Sequence, residues 1–219
     1  MTPRYADTAE TRQAIIDACL HLNATGLTKG TSGNVSVRAG EAMLITPSGL
    51  PYEQMTPDTI QPVPLDGDPA PAGPLTPSTE WRFHQALYAA KPGMHAVVHA
   101  HPVHCTALAQ NRQTIPAVHY MVAAFGGHDV KLAGYALFGG AELAANVTAA
   151  MQDRHACLMA NHGATVVGET LDKALWRMGE LETLAQGYIL SLSVGVPHVL
   201  DRFQIEEALA AFGDYGPKD

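Results

Sequence analysis

The segment that most constrains how this chain can fold is Ala-Val-Val-His-Ala-His-Pro at residues 96–102. A short apolar run rich in valine predicts a buried strand, and the alternation of side chains along a strand places His99 and His101 on one face. Pro102 has no N–H for the sheet, so it predicts the end of the strand. Two imidazoles at a strand end can converge on one metal ion, although two hydrogen-bonded structural histidines would give the same pattern.

The composition narrows the class of protein. A chain of 219 residues, 47% of them hydrophobic, fits a single domain over residues 1–219. The formal net charge of −8, without a basic stripe, argues against a nucleic-acid partner. The first residues lack the apolar core of a signal peptide, and the longest uncharged span, residues 183–200, is interrupted by Gly, Ser and Pro. We therefore expect a cytoplasmic protein that does not enter a membrane.

Periodicity predicts a mixed α/β protein. Regular βαβ alternation and a G-x-G-x-x-G motif are both missing, so a dinucleotide cofactor is not indicated. The cysteines, at positions 19, 105 and 157, show no C-x-x-C spacing and are expected to be buried thiols. The predicted helices span 8–25, 103–111, 139–153 and 171–192, the strands span 34–38, 41–46, 156–160 and 164–167, and 61–77 is predicted to be a surface loop.

Three segments favour the binding of an anion, namely two turns rich in hydroxyl groups and glycine and one predicted helix start. Residues 28–34 and 46–49 form turns beside two predicted strands, and Pro-Ser-Thr-Glu at 77–80 predicts a helix start with Ser78 or Thr79 as the N-cap. Free N–H groups and hydroxyls at such places suit a phosphate, because they donate hydrogen bonds without a charged side chain. Each segment alone would equally be an ordinary turn, so the prediction depends on all three coming together.

Glu80 and two further histidines extend the list of candidates. In the first turn of its helix, Glu80 could compensate the helix dipole, bind a metal or act as an acid/base. His84, one turn later, is predicted to be a partly buried helix histidine and not a ligand. His162, between a predicted strand and a glycine, can aim its ring into a cleft and is the third candidate imidazole.

Taken together, these motifs resemble the class II aldolase/adducin family. The resemblance runs in order over residues 14–188. The motifs are Gly-Thr-Ser-Gly-Asn-Val-Ser, Leu-Ile-Thr-Pro-Ser-Gly, Pro-Ser-Thr-Glu-Trp-Arg-Phe-His, Val-Val-His-Ala-His-Pro-Val-His-Cys-Thr-Ala, Ile-Pro-Ala-Val-His-Tyr-Met and Asn-His-Gly.

The resemblance implies a three-layer α/β/α fold with a mostly antiparallel central sheet, and a homotetramer whose sites lie between adjacent subunits. It implies a divalent metal, Zn²⁺ in first place with Co²⁺ or Mn²⁺ as alternatives, and Tyr120 as an acid/base that reaches the neighbouring subunit's site. The implied metal ligands are His99, His101, His162 and a displaceable Glu80 that also acts as acid/base. The implied phosphate-binding residues are Gly33, Asn34, Ser48, Gly49, Ser78 and Thr79, and the aldehyde side would hold Phe138 and Tyr215.

The implied reaction is reversible cleavage of a ketose 1-phosphate to dihydroxyacetone phosphate and an aldehyde through a metal-stabilised enediolate. Apart from Arg82, the motifs contain no Lys or Arg, which favours a substrate with one phosphate and an uncharged far end. L-Fuculose 1-phosphate and 5-deoxy- or 5-(methylthio)ribulose 1-phosphate meet that description.

Other activities remain open within and outside the family. Related epimerases usually have Asp at the position of Glu80, whereas decarboxylases and dehydratases are not separated by the motifs. A metal-free, adducin-like interaction module would be expected to lose the ligands, and all four are present. A structural or storage zinc site would leave the phosphate-type turns unexplained.

Overall fold

The computed structural model describes residues 4–70 and 73–214, so Tyr215, assigned to the aldehyde side, lies outside the described residues. The helices are α1 (Ala9–Ala24), α2 (Trp81–Ala90), α3 (Val103–Gln110), α4 (Ala141–Ala150), α5 (Leu171–Val194) and α6 (Arg202–Asp214). The strands are β1 (Asn34–Ala39), β2 (Ala42–Ile45), β3 (Gln61–Pro64), β4 (Ala96–Ala100), β5 (Ile115–Pro116), β6 (Asp129–Ala133), β7 (Ala156–Met159) and β8 (Gly163–Gly168). Short 3₁₀ helices cover Tyr52–Gln54, Pro57–Thr59 and Tyr120–Phe125.

The strands form one eight-stranded sheet in the order β3-β2-β1-β4-β8-β7-β6-β5. Only β6 and β7 run parallel, and every other neighbouring pair is antiparallel. The predicted mostly antiparallel sheet is therefore confirmed, and the one parallel pair makes it a mixed sheet. The His-x-His strand β4 lies inside it, with His99 opposite Asn34 of β1 on one side and Thr165 of β8 on the other.

Alternation along the buried strands divides the core into two layers. In β4, Val98 packs in the cluster that contains residues of α1, α3 and α5, whereas Val97 packs in the cluster built from α2 and α4. Helices thus cover both faces of the sheet, as the three-layer prediction requires. Phe83 of α2 lies edge-on to His99 at a centroid distance of 5.5 Å, so His99 is on the α2 side.

Three local predictions are wrong. Residues 61–77 are not loop throughout, because Gln61 and Val63 are buried and β3 pairs with β2. The N-cap of α2 is Glu80, while the Ser78 hydroxyl accepts a hydrogen bond from the Glu80 N–H at 3.3 Å. The helix predicted over 139–153 is shorter and spans Ala141–Ala150.

The strand β6 and the helix α6 were also not predicted. The side of α6 that packs on the core repeats at helical spacing, with Ile205, Ala208, Leu209 and Phe212, so the signal for it was present. In the described part of the chain, no helix is long and apolar enough to cross a membrane. The three cysteines are buried and free, as predicted.

Candidate metal centre and cleft

Three imidazoles meet at the end of β4 and the start of β8. His99 is the fourth residue of β4, His101 follows the end of that strand, and His162 lies in the turn between β7 and β8. Their ring centroids are 4.8–5.0 Å apart, and Nε2 of His99 lies 3.1 Å from Nε2 of His101. The structure therefore brings together the three histidines that the sequence singled out as metal ligands.

A tight turn and a glycine make this approach sterically accessible. Asn161 has a positive φ of 53°, which turns the chain back from β7 toward β8. At Gly163 a Cβ atom would lie 2.5 Å from the carbonyl oxygen of Ala100 and 2.7 Å from the ring of His101. Only glycine fits there, so Gly163 permits the close contact between the two histidine-bearing segments.

Glu80 lies against the same imidazoles from the start of α2. Its Oε2 is 3.2 Å from Nε2 of His99 and its Oε1 is 3.3 Å from Nε2 of His162. The residue is 5% exposed, and Oε1 has no hydrogen-bond partner among the described residues. Burial raises the pKa of the carboxyl to about 7, and the hydrogen bond from Asn34 acts in the opposite direction.

This donor set fits a divalent cation. Tetrahedral zinc with bonds near 2.0–2.1 Å places its ligand atoms about 3.3 Å apart, and the contacts above span 3.1–3.3 Å. His99 donates its Nδ1–H to the carbonyl of Ala164 at 2.9 Å, which leaves the Nε2 lone pair directed into the site. Burial lowers the pKa of all three imidazoles, that of His162 to about 4, so neutral lone pairs and a carboxylate converge where a cation would satisfy them.

Asn34 holds Glu80 in place. Its Nδ2 donates to Oε2 of Glu80 at 2.9 Å, and its Oδ1 lies 2.5 Å from Nε2 of His84. Both polar groups of this 4% exposed side chain have protein partners, and Asn34 also lines the cleft described below. His84 is fully buried, whereas the sequence predicted a partly buried helix histidine, and burial lowers its pKa to about 3.

A cleft of about 390 Å³ opens above the histidines. Around it stand the other residues predicted for phosphate, namely Gly33, Ser48, Gly49, Ser78 and Thr79, together with Thr31 and Ser32, which the sequence did not single out. The backbone N–H groups of Ser48 and Ser78 already bind the carbonyls of Thr76 and Thr46 at 2.9 Å, so these two residues offer their hydroxyls. A Cβ at Gly33 would lie 2.9 Å from the carbonyl oxygen of His99, which explains a glycine at this edge.

The charge of the cleft is unusual for a phosphate site. Within the described part of the chain, none of its lining residues is Lys or Arg. Tyr135 and Phe138, each 60% exposed, stand at its side, and Tyr135 is a further residue that the sequence reasoning missed. The cleft therefore combines a carboxylate and imidazoles with neutral donors and two aromatic side chains.

Tyr120 does not reach this cleft within one chain. It is 53% exposed, stacks on His119 at 4.8 Å and lies 6.3 Å from Phe212 between ring centroids. It lines a separate pocket of about 860 Å³ formed with α5 and α6. A proton-transfer role for Tyr120 would therefore require the site of another subunit.

The chain belongs to the class II aldolase/adducin family. The family model described as the Class II Aldolase and Adducin N-terminal domain matches residues 13–189. That span contains β1 to β8 and the metal centre, and it agrees with the resemblance drawn from the motifs. Class II aldolases are metal-dependent, which agrees with the histidine cluster.

Individual relatives are similar to this chain over nearly its whole length. The chain is 46% identical to L-fuculose phosphate aldolase from Escherichia coli (strain K12), over 92% of this chain and 94% of the relative. It is 44% identical to 5-methylthioribulose-1-phosphate/5-deoxyribulose-1-phosphate aldolase from Rhodospirillum rubrum, over 94% of this chain and 92% of that protein. A solved structure of L-fuculose 1-phosphate aldolase superposes with a TM-score of 0.90 at 36% identity, covering 94% of this chain and 97% of the other. The prediction of a class II aldehyde-lyase is confirmed, because the chain belongs to the family and its relatives are class II aldolases.

Proposed function

We propose that this protein is a metal-dependent aldolase that reversibly cleaves a ketose 1-phosphate to dihydroxyacetone phosphate and an aldehyde. The observation that carries the proposal is the buried Glu80 carboxylate, which lies against His99 and His162 of the three-histidine cluster at the base of a cleft rimmed by hydroxyls. Cleavage of the C3–C4 bond needs a positive charge for the enediolate, a group that returns a proton to carbon, and an anchor for the phosphate.

The residues divide these tasks among them. His99, His101, His162 and Glu80 would hold the divalent ion, which supplies the positive charge opposite the developing enediolate. Once the substrate displaces it from the ion, Glu80 would take a proton from a substrate hydroxyl and return it to the carbon that loses its bond. The rim would anchor the substrate phosphate through neutral donors, and this anchoring would position the reacting end of the substrate. Its proposed contacts are Gly33, Ser48, Gly49, Ser78, Thr79 and the backbone of Asn34.

Zinc is the proposed ion, with cobalt and manganese as alternatives. Three imidazoles and one carboxylate are a common zinc donor set, and the ligand spacing supports a small tetrahedral ion. The same ligands accept other divalent metals with little discrimination, so activity after reconstitution with cobalt or manganese is also expected.

We further propose a homotetramer with its sites between adjacent subunits. The support is Tyr120, which is exposed and lies outside its own cleft. In the neighbour's site, its phenol would exchange a proton with the C4 oxygen. The whole chain would then form one catalytic domain in each subunit, in the cytoplasm, where free thiols persist.

The proposed substrates are deoxyketose 1-phosphates, namely L-fuculose 1-phosphate or 5-deoxy- or 5-(methylthio)ribulose 1-phosphate. Relatives of similar identity carry both names, and the cleft offers Phe138 and Tyr135 where a methyl or methylthio end could pack. One methylene in such a pocket changes the discrimination by about 1–3 kcal/mol, so overlapping activities are expected. The rim without Lys or Arg disfavours a second phosphate.

The test is release of dihydroxyacetone phosphate from these three ketose phosphates by the metal-loaded enzyme, with fructose 1,6-bisphosphate as the doubly charged control. We expect kcat/KM to be highest for one of the three and lowest for the bisphosphate. A preference for the bisphosphate would contradict the proposed substrate class. Carbon dioxide, water or an epimer as the product would contradict the aldolase and favour another activity of the family.

A further inference from the structure

A buried chain of hydrogen bonds runs from Glu80 into the core. Beyond Asn34, the ring of His84 lies 2.7 Å from the hydroxyl of Ser36 through Nδ1, and that hydroxyl lies 2.9 Å from the phenol oxygen of Tyr88. Ser36 and His84 are 0% exposed and Tyr88 is 1% exposed. The order of the groups is therefore Glu80, Asn34, His84, Ser36 and Tyr88, with little access for water.

The chain of hydrogen bonds has one consistent direction. A carboxylate only accepts, so the Asn34 amide group must turn its N–H toward Oε2 of Glu80 and its oxygen toward His84. That oxygen needs a donor, which places the proton of the neutral imidazole on Nε2 and leaves Nδ1 as an acceptor. Ser36 then donates to Nδ1 and accepts from the phenol of Tyr88.

The opposite orientation of the Asn34 amide would be unfavourable. A half-turn of the Asn34 amide would set its oxygen against the carboxylate oxygen of Glu80, with two lone-pair-bearing atoms in contact and no water to separate them. Asn34 alone cannot prevent that rotation, because its amide has nearly the same shape in both orientations. The carboxylate of Glu80 and the donor on His84 together make one orientation preferred.

We propose that His84 is a positioning residue which, through Asn34, holds Oε2 of Glu80 and so fixes the orientation of the carboxylate beside the metal centre. The inference rests on the proposed function for its catalytic consequence, but not for its structural one. Among the described residues, the hydrogen bonds of His84 go to Asn34 and Ser36 and to none of the imidazoles of the metal centre, so its hydrogen-bonded connection to Glu80 runs through Asn34.

The structural consequence is tested on the zinc-loaded wild-type protein. Magic-angle-spinning NMR of protein labelled with ¹⁵N-histidine reports which ring nitrogen carries the proton, and the signal of His84 is identified by its loss in His84→Gln. We expect a neutral imidazole protonated on Nε2. A ring protonated on Nδ1, or on both nitrogens, would overturn the proposal whatever the protein catalyses.

The functional consequence is tested with a matched pair of variants. His84→Gln keeps an N–H that can reach Asn34, whereas His84→Leu keeps bulk and loses the donor. We expect His84→Leu to lose about 10–100-fold in kcat and in zinc affinity, with KM changed by less than about threefold, and His84→Gln to recover most of both. Equal losses in the two variants would refute positioning through the donor.

The two readouts separate this inference from the proposed function. If no ketose phosphate is cleaved, the proposed function fails, while the zinc affinities and the ring protonation still decide the role of His84. Should His84→Leu not fold, the wild-type NMR result and the zinc affinity of His84→Gln decide it, because a large loss of affinity with the donor retained would contradict the proposal.

Discussion

Glu80 makes the metal-free protein less stable at alkaline pH, and Glu80→Gln tests this directly. Burial raises the pKa of this carboxyl from 4.5 to about 7, because the charged form is desolvated with only one hydrogen bond to offset the cost. A carboxyl whose pKa is raised on folding favours the folded state most at pH values below its unfolded pKa. That stabilisation is lost as the pH rises through the folded value.

The size of the change in stability follows from the shift in the pKa of Glu80. Between about pH 6 and about pH 8.5, linkage predicts that the wild-type protein loses roughly 1–2 kcal/mol of unfolding free energy relative to Glu80→Gln. The comparison must be made against the variant, because buried histidines such as His84 and His162 have lowered pKa values and act with the opposite sign. Glutamine has nearly the same shape and can still accept the hydrogen bond from Asn34, so packing is matched.

The measurement is urea unfolding of both chelator-treated proteins at equal concentration across this pH range. The difference in unfolding free energy, wild type minus Glu80→Gln, should fall as the pH rises. Added zinc should stabilise the wild type more than the variant, because the carboxylate then has its counter-charge. A difference that stays flat or grows with pH would refute the reasoning.

Two further predictions test the metal centre and the phosphate rim. His101→Ala should lose most of its bound ion by elemental analysis, because two of the three imidazoles cannot hold it with the same affinity; full occupancy with wild-type activity would contradict the ligand set. Ser78→Ala should raise KM for a phosphorylated ketose about tenfold, as expected for one lost hydrogen bond to a charged group, with the metal content unchanged. An unaltered KM would count against the phosphate rim.

The parts of the site that follow local rules could be predicted from the sequence. The His-x-His pair depends only on strand alternation, and His162 depends on a strand followed by a turn, so both predictions needed only neighbouring residues. Glu80 was placed correctly at the start of a helix, but the sequence could not choose between dipole compensation and metal binding. That choice depends on His99 and His162, which are distant in the chain.

Long-range contacts account for what could not be predicted. The side-chain partners of Asn34 are Glu80 and His84, which are 46 and 50 residues away in the chain. No spacing rule links such positions. Likewise, the prolines of β3 predict a loop, and it is the pairing with β2 that makes this segment a strand.

The last prediction concerns sharing of the site between subunits. If Glu80 of one subunit works with Tyr120 of the next, neither Glu80→Gln nor Tyr120→Phe should be active alone at more than a small fraction of the wild-type rate. Hybrids formed by refolding or co-expressing equal amounts of both chains would contain some sites with an intact Glu80 and an intact Tyr120. In a ring with random order, about a quarter of the sites have both, so the specific activity should recover to about a quarter of the wild-type value. If Tyr120 instead acted within its own chain, every hybrid site would lack one of the two groups. No recovery in verified hybrids would therefore refute the shared site.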